Sequence, residues 1–159
     1  PYMDNLLDYL PANIPESEGC AIVHGDLQIA NMMMHADRNE VIGLLDWELS
    51  TLGCPLADFA YLCRPYRDAL RGLDLNALGI PSEAAFVEAY CQRTGREGIE
   101  NWDYYLAFNM FKMAAILQGI AKRVLDGTAA SQHAEAAGAG AFDMAKLAWA
   151  QIESSVVID

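Results

Sequence analysis

Asp26, Asn31 and Asp46 are the side chains whose types and spacing could do chemistry. Asp26 and Asn31 stand five residues apart in Val23-His24-Gly25-Asp26-Leu27-Gln28-Ile29-Ala30-Asn31, and Asp46 follows the apolar run over residues 41–45. A five-residue interval puts two side chains about 140° apart round a helix, or on opposite faces of a strand, so only a loop converges them. Convergence would suit phosphoryl transfer. One aspartate orients and deprotonates an accepting hydroxyl, while an amide oxygen and a second carboxylate hold a divalent cation against phosphates.

Such a loop needs a strand to deliver it and a hairpin to return Asp46 to it. The apolar residues 20–23 predict the strand that delivers His24. Residues 31–35 and 41–45 predict two more, joined by a polar hairpin connection over 36–40. Upstream, apolar residues at 3, 6, 7 and 10 predict a helix over 2–10 that Pro11 ends, followed by a polar turn over 15–19. Downstream the pattern turns helical. Pro55 can open a helix with Leu56, Phe59, Ala60 and Cys63 on one face. Pro81 and Ser82 can start one over 83–93 that ends near Gly95. Asn101 is read as the cap of a longer helix to about Leu125, with Leu106, Met110, Met113, Leu117 and Ile120 inward and Gly127 as the stop. A last helix over about 131–154 would be anchored by Phe142, Leu147, Trp149 and Ile152, with Gly138 and Gly140 weakening its alanine-rich first half. The fold class is α+β, mainly α, with a small β-hairpin region carrying the loop.

The 159 residues suit one domain over 1–159, and 53% hydrophobic with 20% charged residues is a globular balance. Ten basic against twenty-two acidic residues give a formal charge of −12, which repels a polyphosphate backbone and argues against nucleic acid as a partner. Cys20, Cys54, Cys63 and Cys91 form no CxxC pair, so reduced thiols are expected in place of a zinc site or a disulfide framework. No apolar stretch reaches membrane-spanning length, and Asp4 and Asp8 stand where a signal peptide would carry positive charge. These features predict a cytoplasmic protein with no membrane partner.

His24-Gly25-Asp26-x4-Asn31 and the stretch Leu45-Asp46-Trp47-Glu48-Leu49-Ser50-Thr51-Leu52-Gly53-x-Pro55-Leu56-Ala57-Asp58-Phe59-Ala60 together resemble the two signatures of the aminoglycoside phosphotransferase and choline kinase group, which has a protein-kinase-like fold. Later segments, among them Trp102-Asp103-Tyr104-Tyr105-Leu106-Ala107-Phe108 and Gln118-Gly119-Ile120, resemble the phosphotransferases associated with acyl-CoA dehydrogenases. The resemblance implies the C-terminal lobe of a kinase that uses ATP and Mg²⁺ on a small-molecule hydroxyl, with an acyl-CoA-linked acceptor suggested by the subgroup. It makes Asp26 the catalytic base, and Asn31 and Asp46 the magnesium ligands that hold the nucleotide. His24 becomes a structural orienter and Asp58 a buried carboxylate that fixes the loop. Gly25 replaces the arginine with which protein kinases read activation-loop phosphorylation, and only eight residues separate Asp46 from Pro55, so a protein acceptor is disfavoured.

The nucleotide-binding lobe of such an enzyme is expected to be absent from this chain. None of the twelve glycines forms a glycine-rich phosphate loop, and the three lysines, Lys112, Lys122 and Lys146, fall in predicted helices. Little activity is therefore expected of these 159 residues alone. Two positions depart from the family pattern: Cys54 stands where an aspartate is common, and Leu27-Gln28 where an aromatic followed by Arg or His is common. Glu48 is a secondary candidate for substrate or metal. His35 reads as a strand-end surface residue and His133 as part of a polar helix start, Arg64, Arg67 and Arg71 as solvated charge, and the aromatic and Met stripe from Tyr104 to Met113 as core. The competing function is a non-catalytic module that binds a partner or a second copy through its helical face, with the surface left by the missing lobe favouring association. A metal-dependent hydrolase is disfavoured, because three scattered histidines and two carboxylates make no hydrolytic metal set.

Overall fold

Caps and turn residues set most of the element boundaries. A computed structural model describes residues 1–16, 19–129 and 134–156. In chain order they form α1 (Tyr2–Ala12), β1 (Ala21–Val23), β2 (Met32–Met34), β3 (Val41–Leu44), β4 (Thr51–Gly53), α2 (Pro55–Cys63), α3 (Glu83–Thr94), α4 (Trp102–Leu125), α5 (Ala134–Ala139) and α6 (Ala141–Val156). Single 3₁₀ turns lie at Ile29–Asn31, Trp47–Leu49 and Arg64–Tyr66. The expected α+β, mainly α class is observed. Two compact units can be distinguished, Glu16–Trp102 and Pro1–Pro15 with Asp103–Asp159.

The unit over Glu16–Trp102 holds both small sheets. β1 pairs antiparallel with β4, Ala21 opposite Gly53 and Val23 opposite Thr51, while β2 and β3 form the expected hairpin with Met32 opposite Leu44. β4 is an element the sequence pattern did not show, since three residues without an apolar run give no periodic signal. The Asp26 loop therefore runs in the chain from β1 of one sheet to β2 of the other. α2 begins with Pro55 in its first turn, where the missing N–H costs nothing, and buries Leu56, Phe59, Ala60 and Cys63 as its spacing predicts, together with Tyr61. Phe59 stacks on Tyr90 at 3.8 Å and packs 5.5 Å from both Phe86 and Trp102. α3 starts where Ser82 Oγ accepts the Ala85 N–H at 3.2 Å and stops at Gly95, whose φ of 71° is readily reached by glycine. Of the expected turn over 15–19, residues 17 and 18 lie outside the described residues.

In the other unit α1 packs against α6, with Tyr9 edge-on to Trp149 at 6.1 Å and Tyr2 on Phe142 at 5.4 Å. Leu6, Leu10, Leu106, Met110, Ala114, Ala145, Ala148 and Ile152 are buried there. Several expectations need correcting. α1 runs through Pro11, because a proline this near the end removes only one late hydrogen bond, and Asn13 Nδ2 caps the Tyr9 carbonyl at 2.8 Å. Asn101 precedes α4 with a φ of 54°, which is not the extended backbone of an ordinary N-cap. Met113, Leu117 and Ile120 are half-buried, and small residues such as Ala114 make the close contacts. The last helix is two helices broken at Gly140, with Gly138 so close to Ala121 that a Cβ would collide with its backbone. Its predicted start at Ser131, and His133, lie outside the described residues. Phe142 is exposed, and alanines share the packing with Ile152.

Candidate functional site

The Asp26 loop is built on α2. Asp58, in the first turn of that helix, accepts the His24 N–H through Oδ2 at 2.5 Å and the Gly25 N–H through Oδ1 at 2.9 Å. Both carboxylate oxygens are thus occupied by backbone donors of the loop. Asp58 is half-buried, a correction to the expectation of a buried carboxylate; it sits where the loop and helix meet. His24 is 2% exposed, and its ring ties two segments together. Nε2 lies 2.7 Å from the Leu45 carbonyl and Nδ1 lies 3.2 Å from the Asp26 N–H. A carbonyl can only accept and an amide N–H can only donate, so Nε2 is the donor and Nδ1 the acceptor in these two bonds. Trp47 covers the ring at 4.7 Å and anchors itself through Nε1 to the Leu44 carbonyl at 2.9 Å. Gly25 has a φ of 80°, and a Cβ there would strike the Leu49 carbonyl, so steric fit demands glycine independently of any regulatory arginine.

Asp26, Asn31 and Asp46 belong to this one unit, and backbone bonds link their segments. Asn31 Nδ2 donates to the Asp26 backbone carbonyl and to Asp26 Oδ2, each at 2.9 Å, which turns its amide oxygen away from Asp26. The Asn31 carbonyl accepts the Leu45 N–H at 2.8 Å and so holds the residue before Asp46. Asp46 has a φ of 64° and ψ of 60°, a left-handed conformation that aspartate tolerates better than most residues. Its carboxylate is exposed and makes no hydrogen bond or ion pair among the described residues.

Two further partners of Asp26 escaped sequence reasoning. Gln28 Nε2 donates to Asp26 Oδ2 at 2.8 Å, so the departure at this position places an amide on the carboxylate. Tyr61, 4% exposed on α2, also hydrogen-bonds Asp26. Burial first, then that hydrogen bond and the Asp26 charge, push the Tyr61 phenol up to about 12 against the opposing pull of Arg64. Tyr61 lies three residues after Asp58 on the same helix face, but that spacing alone gave no sign of its bond to Asp26. Cys54 stands at the N-cap of α2, where its side chain makes no cap hydrogen bond to the helix. Arg64 pairs with Asp68 and Arg67 with Glu83, so neither is the simple solvated charge expected, while Arg71 is exposed. His35 accepts the Asp37 N–H in the hairpin turn, and Glu48 is exposed. Beside the loop a largely apolar cleft of about 630 Å³ is lined by Leu27, Pro55, Phe59, Phe86, Tyr90 and Arg93 among others.

Comparison with known proteins agrees with this arrangement. The model of the phosphotransferase enzyme family (APH) matches residues 1–108. A crystal structure from Ralstonia eutropha, of a protein provisionally named an aminoglycoside phosphotransferase, superposes with a TM-score of 0.90 at 48% identity. That match covers 97% of this chain and 49% of the other. Acyl-CoA dehydrogenase family member 10 of Mus musculus is 43% identical over 157 residues, covering 94% of this chain and 15% of that protein. Acyl-CoA dehydrogenase family member 11 of Homo sapiens is 36% identical over 140 residues, covering 83% and 18%. The chain therefore spans about half of the solved protein and less than a fifth of these two relatives. With a family model matched over more than half its length, a kinase-like fold at close superposition and both signatures assembled in one unit, the chain belongs to the phosphotransferase enzyme family.

Proposed function

We propose that this chain is the catalytic lobe of an ATP- and Mg²⁺-dependent phosphotransferase acting on the hydroxyl of a small molecule. The observation that carries the reading is the pair of 2.9 Å bonds from Asn31 Nδ2 to Asp26, together with the Asn31 carbonyl on Leu45 N–H at 2.8 Å. Asp26 orients and deprotonates the acceptor hydroxyl. Asn31 and Asp46 would hold the metal. Their donors are a neutral amide oxygen and a carboxylate free of protein partners among the described residues, hard oxygens of the kind Mg²⁺ prefers. When bound, Mg²⁺ neutralises charge on the nucleotide phosphates. His24 and Asp58 keep the loop in shape. The apolar cleft at Leu27 offers room for an acceptor body, and the acyl-CoA dehydrogenase names of the relatives support an acyl-CoA-linked one. Four free cysteines suit a reducing, cytoplasmic setting, and no described helix is long and apolar enough to cross a membrane.

Residues 1–159 by themselves should turn over little ATP, because Lys112, Lys122 and Lys146 all lie in α4 or α6 and no glycine-rich phosphate loop is present. The reading is tested by calorimetry on the full-length gene product. Asp46→Ala should abolish the Mg²⁺-dependent part of ATP binding; a variant that binds Mg-ATP as the parent does would remove Asp46 from the site. A second reading, self-association, draws on exposed Ile22, Ile29, Met34, Ile42 and Leu52 in the β region. A defined oligomer in solution that ignores added nucleotide would favour it.

A further inference from the structure

The Asp26 carboxylate is held from two directions. Gln28 and Asn31 reach Oδ2 from within the loop, at 2.8 and 2.9 Å. Tyr61 reaches the carboxylate from α2. Loop partners move when the loop moves, whereas a helix side chain packed in the core does not. Tyr61 is fixed in this way: it is almost wholly buried, and the Arg64 guanidinium lies 5.6 Å from its ring centroid while paired with Asp68.

We propose that Tyr61 is a positioning residue, whose hydroxyl donates to the Asp26 carboxylate and holds it in the orientation that meets the acceptor hydroxyl. One helix face then serves the loop twice. Asp58 fixes its backbone at His24 and Gly25, and Tyr61, three residues on, fixes its reacting side chain. A carboxylate can only accept, so the Tyr61 hydroxyl is the donor in this bond, and burial holds its phenol titration above the ordinary value. A carboxylate acceptor makes such a bond stronger than one between neutral groups. The inference rests on the reading of Asp26 as the base.

The test is steady-state kinetics of the full-length gene product as Tyr61→Phe, Asp26→Asn and the double variant, with a circular dichroism melt of each to confirm folding. Tyr61→Phe keeps the ring and removes the donor. Loss of one charge-assisted hydrogen bond should lower kcat about tenfold while KM for ATP and acceptor stays within about twofold. On the Asp26→Asn background the same change should cost nothing further. If Asp26→Asn is impaired and Tyr61→Phe turns over normally, the inference fails and the base reading stands. A loss that appears mainly in KM, or that repeats in full on the Asp26→Asn background, makes Tyr61 structural and overturns the inference. A nearly active Asp26→Asn enzyme would end the base reading, and the role of Tyr61 with it.

Discussion

The two sides of the Asp26 loop are built differently. On the α2 side the supporting residues Leu56, Phe59, Ala60, Tyr61 and Cys63 are buried, and Asp58 and Tyr61 bond directly to the loop. On the side of the strands Ile29, Met34, Val41, Ile42, Leu49 and Leu52 are exposed, and Asp46 is free of protein partners among the described residues. The difference is chemically reasonable. Under the proposed roles, a base would be held in one place, whereas metal-binding groups would stay open to a cation and phosphates. The loop is thus bonded firmly to α2 and less covered near the strand residues, and His24 links it to Leu45.

Core substitutions should expose this contrast most strongly. Leu56 is 0% exposed, so Leu56→Ala should cost about 2–5 kcal/mol in urea unfolding, while Leu52→Ala, at 71% exposure, should cost no more than about 0.5 kcal/mol. Equal losses would break the comparison. Next in size is Asp58→Asn, which takes the charge from a carboxylate that receives two backbone N–H groups. It should destabilise by about 1.5–3 kcal/mol and lower turnover with it, measured by melts and kinetics on the same preparations. An unchanged melt would mean the loop is held some other way.

Much of the anchored side was legible in the sequence. Leu56, Phe59, Ala60 and Cys63 recur at helical spacing behind Pro55, and the Asp58 spacing belongs to the second signature. Tyr61 was not legible, because its hydroxyl meets Asp26 only through folding across thirty-five residues of chain, and a tyrosine among core residues reads as core. β4 was missed for a related reason: three residues pair with β1 through backbone groups, which leave no mark on side-chain pattern. Pro11 and Gly140 misled in opposite directions. A proline late in a helix costs little, whereas a glycine between alanine-rich segments broke the last helix in two.

Smaller effects sharpen the same picture. Burial, first among the causes, raises Tyr61 from 10.0 and Cys63 from 9.0 to about 12. The folded state holds both protons more tightly than the unfolded chain, so their contribution is intact below pH 9 and is lost as pH rises toward 12. Urea melts at increasing alkaline pH should show falling stability over that window, with a shallower fall in Tyr61→Phe. A flat profile would contradict the burial of the α2 face. The smallest expected change is a gain: Cys54→Asp would supply the side-chain cap that α2 lacks and should stabilise by about 0.5–1 kcal/mol in the same melts.

The division of labour between an anchored base and an open metal site is tested most directly by the turnover of Asp26→Asn in the full-length gene product, measured beside its calorimetric affinity for Mg-ATP. The account predicts a fall in kcat of about 10²–10⁴-fold with Mg-ATP affinity retained. Parental turnover in Asp26→Asn would contradict it.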